Sequence, residues 1–181
     1  MLRGGAVHVA AEINHRQKLG SGQDLPVTDL QDAAATTFDL RVSAGYWLAP
    51  EEVARGASAV LGEAKDRAVL LTGVYASHVA PAITPDLVEE SVTIPLRRAE
   101  ADILAILDVT TTDRRVKDLK TANRSKQQSE ADTSLQLSLY AAAYRVKTGQ
   151  DAAGLDLEVL VDTKIPKHQH LSTTRNARDY E

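Results

Sequence analysis

The chain has 181 residues, of which 43% are hydrophobic and 25% charged, and its formal net charge is −4. We expect a single globular domain over residues 1–181 with a sizeable core. The sequence has no cysteine, which excludes disulfides, thiolate zinc sites and cysteine-held iron–sulfur clusters. No apolar run approaches the roughly 20 residues of a membrane span, and no signal peptide is apparent, so we expect a cytoplasmic protein with no membrane partner.

The N-terminal segment, residues 4–20, predicts a helix of about four turns that ends at Gly20. His8, Glu12 and His15 fall on one face of this helix, at positions i, i+4 and i+7. A histidine on a helix is more often structural or solvated than a ligand. The pattern by itself therefore favours no metal site here.

Three further helical patterns follow, over residues 23–39, 50–65 and 66–79, the second opening with Pro50 in its first turn. Their alanine and leucine stripes predict a helical layer packed on a sheet. These segments carry no recognisable chemistry, and Trp47 is interpreted as a packing residue.

Residues 86–96 predict a strand that precedes a hairpin. Glu89 in this strand has two interpretations: it discourages edge-to-edge aggregation, or a tight connection brings it beside the acids of the hairpin. The first interpretation is the more common one for an acid in a strand.

The next segment predicts a hairpin whose first strand contains the unbroken apolar run Ile103–Leu107. The return strand covers residues 115–121, and residues 109–113 supply the turn. Asp102 precedes the apolar run, while Asp108 follows it and is interpreted as a turn residue.

Asp118 and Lys120 project from one face of the return strand, because side chains alternate along a strand. A turn centred on Thr110 places Asp102 opposite Asp118, and a turn centred on Thr111 places it opposite Lys120. Two close carboxylates repel each other unless a cation holds them. Mg²⁺ and Mn²⁺ take such oxygen ligands, and a nearby lysine can orient the attacking water. Solvated side chains on an ordinary hairpin explain the same spacing.

A helix is predicted over residues 133–148, ending at Gly149, and a further strand over residues 155–161. Gln136 and Tyr140 lie on one face of that helix. Gln136 also fits a capping box that begins at Thr133, in which its side chain would only bond back to the helix start. The remaining segment, residues 163–181, is polar and basic, and its pair His168 and His170 is interpreted as incidental.

These motifs, taken in chain order, resemble the PD-(D/E)XK nuclease core in its RecB-like form. The form is recognised by G-x-x-D, then D-x-K-T, then Q-x-x-x-Y. The matching residues here are Asp102, Asp118-Leu119-Lys120-Thr121, and Gln136-x-x-x-Tyr140. Ala99 stands where the family usually has the glycine of its first motif. The opening Gly4-x-x-x-His8 is similar to the family's G-x-x-x-H segment.

The resemblance implies a metal site and a catalytic apparatus. His8, Asp102, Asp118 and the carbonyl of Leu119 would hold one or two Mg²⁺ or Mn²⁺ ions. Lys120 would position the attacking water, while Gln136 and Tyr140 would steady the scissile strand. Glu12 would be a helper or a solvent-facing residue.

The resemblance also implies an α/β fold of the restriction-endonuclease type, with a mixed central sheet flanked by helices. The implied activity is a metal-dependent deoxyribonuclease, an exonuclease of recombination, repair or phage DNA processing. The partner is DNA, with a helicase or recombination protein as a further candidate. The family pattern often continues into another helix, so truncation of the domain stays open.

The rival interpretation within the family is a nuclease fold that has lost activity and only binds DNA or a protein. The intact motif residues argue against it. The acidic net charge does not suggest non-specific coating of nucleic acid. Local charge is more favourable, because a set of basic residues flanks the predicted site. They are Arg97, Arg98, Arg114, Arg115, Lys117, Arg124 and Lys126.

Overall fold

Helices form the first half of the chain in this computed structural model, which describes residues 2–96, 101–176 and 179. The helices are α1 (Leu2–Ser21), α2 (Val27–Ser43), α3 (Pro50–Arg55) and α4 (Ala57–His78), followed by a 3-10 turn (Ala80–Ala82). Helix α1 continues past Gly20, and the left-handed backbone lies instead at Gly22, with φ of 70°. The single predicted helix after Pro50 is interrupted at Gly56, whose φ of 91° no helix accommodates.

The second half of the chain supplies the sheet and two helices. Its elements are β1 (Pro85–Ile94), β2 (Ile103–Thr111), β3 (Arg115–Ala122), α5 (Gln128–Asp132), α6 (Leu135–Thr148), β4 (Gly154–Val161) and β5 (Lys167–Thr173). Helix α6 ends at Gly149, which is left-handed with φ of 74°, as predicted. Helix α5 and strand β5 lie in segments for which the sequence predicted no regular structure.

The sheet has five strands in the order β1-β2-β3-β4-β5. Strands β1, β2 and β3 are antiparallel neighbours, β3 and β4 are parallel, and β5 returns antiparallel to β4. The parallel pair requires a crossover, and α5 and α6 supply it. The predicted fold class, α/β with a mixed central sheet flanked by helices, is confirmed.

Helices cover both faces of the sheet, which explains why no residue of β3 or β4 is exposed. On one face, α1, α2 and α4 pack against the side chains of Val88, Val109, Leu119 and Leu160. On the other face, α6 packs against a second set that includes Leu107, Val116 and Val159. Among the described helices, none combines the length and the apolar character needed to cross a membrane.

Candidate functional site

His8 reaches the sheet from the first turns of α1. Its Nε2 atom lies 2.8 Å from the carbonyl oxygen of Leu119 and 3.2 Å from Oδ2 of Asp108. The hydrogen bond to Asp108 is the main cause that raises the pKa of His8 to about 9, although burial opposes the shift. In the absence of a cation, His8 therefore holds a proton between these two oxygen atoms.

Gly4 allows α1 to come this close to β3. A Cβ atom at position 4 would lie 2.8 Å from Oγ1 of Thr121, closer than a normal van der Waals contact. One helical turn separates Gly4 from His8, so the contact with Thr121 fixes how His8 meets Leu119. The spacing Gly4-x-x-x-His8 thus has a steric basis in this structure.

Asp108 belongs to strand β2, so the interpretation of it as a turn residue is wrong. Val109 pairs with Lys117 and Thr110 with Val116, which centres the turn on Asp113 rather than on Thr110 or Thr111. Asp108 consequently comes opposite the start of the D-x-K motif, and its Oδ2 accepts a hydrogen bond of 3.0 Å from the Leu119 N–H. The signal for Asp108 was present in the sequence, as a single acid enclosed by apolar strand residues.

Asp102 does not join this cluster, contrary to the prediction. It lies exposed before β2 begins, and its Oδ1 accepts one long contact of 3.4 Å from the Leu96 N–H. With the turn centred on Asp113, the residue opposite the start of the D-x-K motif is Asp108, and Asp102 lies six residues before it in the chain. Ala99, the other part of the predicted first motif, lies outside the described residues.

Glu89 faces the same cluster from β1. Its neighbours Val88 and Glu90 pair with Val109 and Leu107, which sets Glu89 opposite Asp108. One carboxylate oxygen lies 3.9 Å from Nδ1 of His8, and burial followed by repulsion from Asp108 raises the pKa of Glu89.

The backbone at Glu89 has a φ of 49°, a left-handed conformation that is uncommon for residues other than glycine. Such strain persists where the surrounding structure imposes it, and it concentrates at functional sites. Of the two interpretations of Glu89, its placement beside His8 and Asp108 supports a role in the site. No sequence pattern signals this conformation.

Asp118 is completely buried, yet one of its carboxylate oxygens, Oδ2, has no hydrogen-bond partner among the residues that the structure describes. Its other oxygen, Oδ1, lies 3.0 Å from Nζ of Lys120. Burial, reinforced by repulsion from Asp108, raises the pKa of Asp118 to about 7. Leaving a buried carboxylate oxygen unsatisfied is costly, so an additional cation close to Asp118 would stabilise the site.

Gln136 and Tyr140 reach Asp118 from α6. The Gln136 Nε2 atom donates to the Tyr140 hydroxyl at 2.7 Å and makes a long contact of 3.4 Å with Oδ1 of Asp118. The helix is instead capped by Ser134, whose hydroxyl accepts from the Leu137 N–H. The capping-box alternative for Gln136 is therefore wrong, and its amide points to the cluster.

The donor set fits a hard divalent cation. Ligand atoms of His8, Glu89 and Asp108 all lie within 4.8 Å of one another. Adjacent ligands of an octahedral Mg²⁺ ion, each ~2.1 Å from the metal, are about 3.0 Å apart. The separations of His8 Nε2 from Leu119 O and Asp108 Oδ2, 2.8 and 3.2 Å, match this value. The unsatisfied oxygen of Asp118 supplies an independent reason for a cation.

A second acidic cluster, formed by Asp156 and Glu158 on β4, is already neutralised by protein cations. Lys117 contacts both carboxylates, at 2.9 and 2.8 Å, and Arg115 contacts Asp156. The ion pairs and hydrogen bonds overcome the effect of burial and lower the pKa of both acids to about 2. His168 also contacts Glu158, at 2.6 Å, so the histidines of the C-terminal segment join this network rather than the candidate site.

The basic residues predicted to flank the site divide into separate groups. Arg115 and Lys117 are engaged in the second cluster, and Arg114 contacts Gln150 beyond the β2–β3 turn. Lys126 pairs with Glu130. The predicted Arg97 and Arg98 lie outside the described residues, and four of the other five basic residues are thus engaged by protein groups.

Comparisons with known proteins identify the family to which the chain is similar. The family model of the PD-(D/E)XK nuclease superfamily matches residues 2–178. No curated protein matches the sequence. A solved structure of a candidate exonuclease from Eubacterium rectale is similar at 11% identity and a TM-score of 0.45, over 81% of this chain and 66% of that one. The chain thus spans slightly less than two thirds of the length of that protein.

Proposed function

This chain belongs to the PD-(D/E)XK nuclease superfamily, and we propose that it is a metal-dependent deoxyribonuclease. One observation carries the proposal. Among the described residues, the buried Asp118 leaves Oδ2 without a hydrogen-bond partner. Its carboxylate is close enough to interact electrostatically with Asp108 and His8, which with Glu89 form a group that could hold a metal ion. A group of acids whose charge is incompletely compensated, next to a histidine, suits a cation that the protein does not itself supply.

We assign the cation ligands to His8, Asp108, Asp118 and the carbonyl of Leu119, with Glu89 as a further candidate. Asp108 takes the ligand position that the family resemblance implied for Asp102. A divalent cation bound there supplies Lewis-acid stabilisation of the phosphodiester and lowers the pKa of water. The Leu119 N–H donates to Asp108, which holds that carboxylate in place.

Lys120 holds and orients the attacking water in this proposal. Its ammonium group lies 3.0 Å from Asp118 and its side chain is 36% exposed, so it connects the buried acid with solvent. Gln136 and Tyr140 form a hydrogen-bonded pair, and Gln136 contacts the carboxylate of Asp118. In this proposal their polar groups hold the scissile strand in position for in-line attack.

The finer assignments rest on the motifs. D-x-K-T, Q-x-x-x-Y and G-x-x-x-H support the RecB-like branch, and with it Mg²⁺ or Mn²⁺ as the cation and exonucleolytic action on DNA. Roles in recombination, repair or phage DNA processing stay predictions from the sequence. The same holds for a helicase partner and for the cytoplasmic location.

Cleavage of end-labelled linear DNA and closed circular DNA tests the proposal, with Mg²⁺, Mn²⁺ or chelator present. We expect loss of linear DNA that requires the metal and that Lys120→Ala abolishes. Lys65→Ala is the matched control: Lys65 also pairs with an aspartate and is 35% exposed, compared with 36% for Lys120. It should retain wild-type activity.

Each result assigns a different function. Cleavage of circular DNA as well would retain the site and make the protein an endonuclease. Metal-dependent cleavage that survives Lys120→Ala would contradict the role of Lys120. A folded wild-type protein that binds DNA with neither metal supporting cleavage would favour a nuclease fold that has become a binding module.

A further inference from the structure

A large groove of about 1010 Å³ opens beside the candidate site. The start of α1, the loop between α2 and α3, helix α4 and the end of β3 form its walls. Residues that line it include Arg3, Gly4, Tyr46, Trp47, Leu61 and Asn123. None of the roles assigned above uses this groove.

The groove is continuous with the site along two elements. Thr121 and Ala122 line it and directly follow Lys120 on β3, which places Ala122 about 7 Å beyond Lys120, and Asn123 lines it just after the strand ends. Gly4 lines it and precedes His8 by four residues, about 6 Å along the helix. The groove therefore lies within about 10 Å of the site along both elements.

Two exposed aromatic side chains lie in the groove. Trp47 is 79% exposed and Tyr46 is 47% exposed. The structure thus corrects the interpretation of Trp47 as a packing residue. By contrast, the other described aromatic side chains are at most 7% exposed: Phe38, Tyr75, Tyr140 and Tyr144. A chain with few aromatic residues exposes its only tryptophan in a groove next to its site, which indicates a surface for binding.

Arginines lie at and near the groove: Arg3 lines it together with the acid Glu52, whereas Arg67 and Arg41 lie outside its lining. Arg3 and Arg67 both donate to Asp162, so two guanidinium groups share one carboxylate. The guanidinium of Arg41 lies against Gly5, where a Cβ atom would be 2.6 Å from its Nη1. Within the described residues, Arg41 forms no ion pair. The acid at the rim, Glu52, accepts a hydrogen bond from the Ala49 N–H.

We propose that this groove binds a single-stranded segment of the DNA substrate, with Trp47 and Tyr46 stacking on unpaired bases. The inference rests on the proposed function, because its occupant is the substrate of the nuclease site. Stacking requires exposed base faces, which a duplex conceals within its base stack, whereas arginines accept any phosphate backbone. The aromatic pair therefore favours single-stranded over double-stranded DNA.

The decisive experiment measures the affinity of fluorescein-labelled (dT)10 by anisotropy, with chelator present to prevent cleavage. We expect Trp47→Ala to weaken binding ~5- to 150-fold, the loss typical of one stacked base. Trp47→Phe, which keeps a stacking ring, should retain affinity within about threefold, since Phe also stacks on bases. Val146→Ala, which shortens a 51% exposed side chain on α6, is the control and should bind like the wild type.

The unique tryptophan gives a second readout that needs no substitution. Unlabelled (dT)10 should quench the fluorescence of the wild-type protein in a saturable way, because Trp47 is its only indole. A blunt duplex of ten base pairs should quench it much less. Trp47→Ala should leave the weaker binding of that duplex unchanged.

The outcomes separate this inference from the proposed function. If Trp47→Ala binds (dT)10 like the wild type while the wild type cleaves DNA with Mg²⁺ or Mn²⁺, the groove is wrongly assigned and the nuclease stands. An equal loss of affinity for single-stranded and duplex DNA would overturn the stacking role. A wild type that neither binds (dT)10 nor cleaves any DNA would overturn both proposals.

Discussion

At the scale of single residues, the site is defined by acids that lack sufficient partners. Asp118 is buried with one oxygen unsatisfied, and Asp108 shares His8 with the Leu119 carbonyl. Asp156 and Glu158 are equally buried but have Lys117, Arg115 and histidines as partners. Burial alone therefore does not separate these two groups of acids, whereas the number of protein cations beside them does.

The assignment of Asp108, rather than Asp102, as a cation ligand can be tested by comparing the same substitution at both positions. We expect Asp108→Asn to weaken Mn²⁺ binding and to lower the cleavage rate by more than about 100-fold. Mutating residues that only orient metal ligands already lowers metal affinity or activity ~10–100-fold. Asp102→Asn makes the same chemical change on an exposed residue and should stay within about twofold of wild type. Isothermal titration with Mn²⁺ and single-turnover cleavage measure both effects.

The reverse pattern, with Asp102→Asn inactive and Asp108→Asn active, would show that the β2–β3 register of the working enzyme differs from the one described. Circular dichroism of both variants serves as the control for folding.

At the scale of elements, local sequence patterns predict which residues share a face of a strand or helix better than they predict the register of the β2–β3 hairpin. D-x-K places Asp118 and Lys120 on one face of a strand, and Q-x-x-x-Y places Gln136 and Tyr140 on one face of a helix. These short spacings follow from strand and helix periodicity alone. That the two pairs meet was implied by the family resemblance, and in the structure Gln136 lies 3.4 Å from Asp118.

The register of the hairpin required information that the spacing does not contain. It depends on a turn in which Arg114 takes a φ of 63° and the Thr111 hydroxyl donates to Asp113. Moving that turn by two or three residues exchanges Asp108 for Asp102. The placement of Glu89 likewise depends on a left-handed residue in an irregular strand. Neither Arg114 nor Glu89 is a glycine, so no residue type in the sequence signals their left-handed backbone.

The approach of α1 to β3 yields a prediction at this scale. Gly4→Ala should lower metal affinity and cleavage, because the new Cβ would lie 2.8 Å from Oγ1 of Thr121 and would push the helix that carries His8. Gly20→Ala, in the same helix with open space around it, should be neutral or stabilise the fold by ~0.5–1 kcal/mol.

A double-mutant cycle identifies the cause. Removing Oγ1 with Thr121→Ala should restore much of the activity that Gly4→Ala loses. Additive losses in the double variant would contradict the steric explanation and leave the role of Gly4 elsewhere. Cleavage rates and Mn²⁺ titrations of the four proteins provide the measurement.

At the scale of the whole molecule, the protonation of the site is linked to the stability of the fold. The folded pKa of His8, about 9, lies above its ordinary 6.5. Such a group stabilises the fold fully below pH 6.5, and this contribution is lost as the pH rises through 9. Asp118, with a folded pKa of about 7, has largely lost its contribution by neutral pH.

Groups with a lowered pKa have the opposite effect on the stability of the fold, and they act below pH 6.5. His15 is buried and hydrogen-bonded to Tyr75 at 2.8 Å, and burial lowers its pKa to about 4. Its contribution is present above pH 6.5 and is lost as the pH falls toward 4. The lowered pKa values of Asp156 and Glu158 act at still lower pH. Between pH 7 and 9, His8 is therefore the group that dominates the change.

We predict that the metal-free protein loses stability between pH 7 and 9 and that the stabilisation by Mn²⁺ grows over the same interval. The cation requires His8 without its proton, so the proton opposes metal binding at pH 7 more than at pH 9. Thermal unfolding with chelator or with saturating Mn²⁺ measures both effects, and each 1 kcal/mol shifts Tm by about 2–4 °C for a protein of this size. Asp108→Asn removes the main partner of the His8 proton together with a proposed ligand, so both pH effects should diminish in this variant. A Mn²⁺ shift that is equal at both pH values in the wild type would exclude His8 as a ligand whose proton the metal displaces.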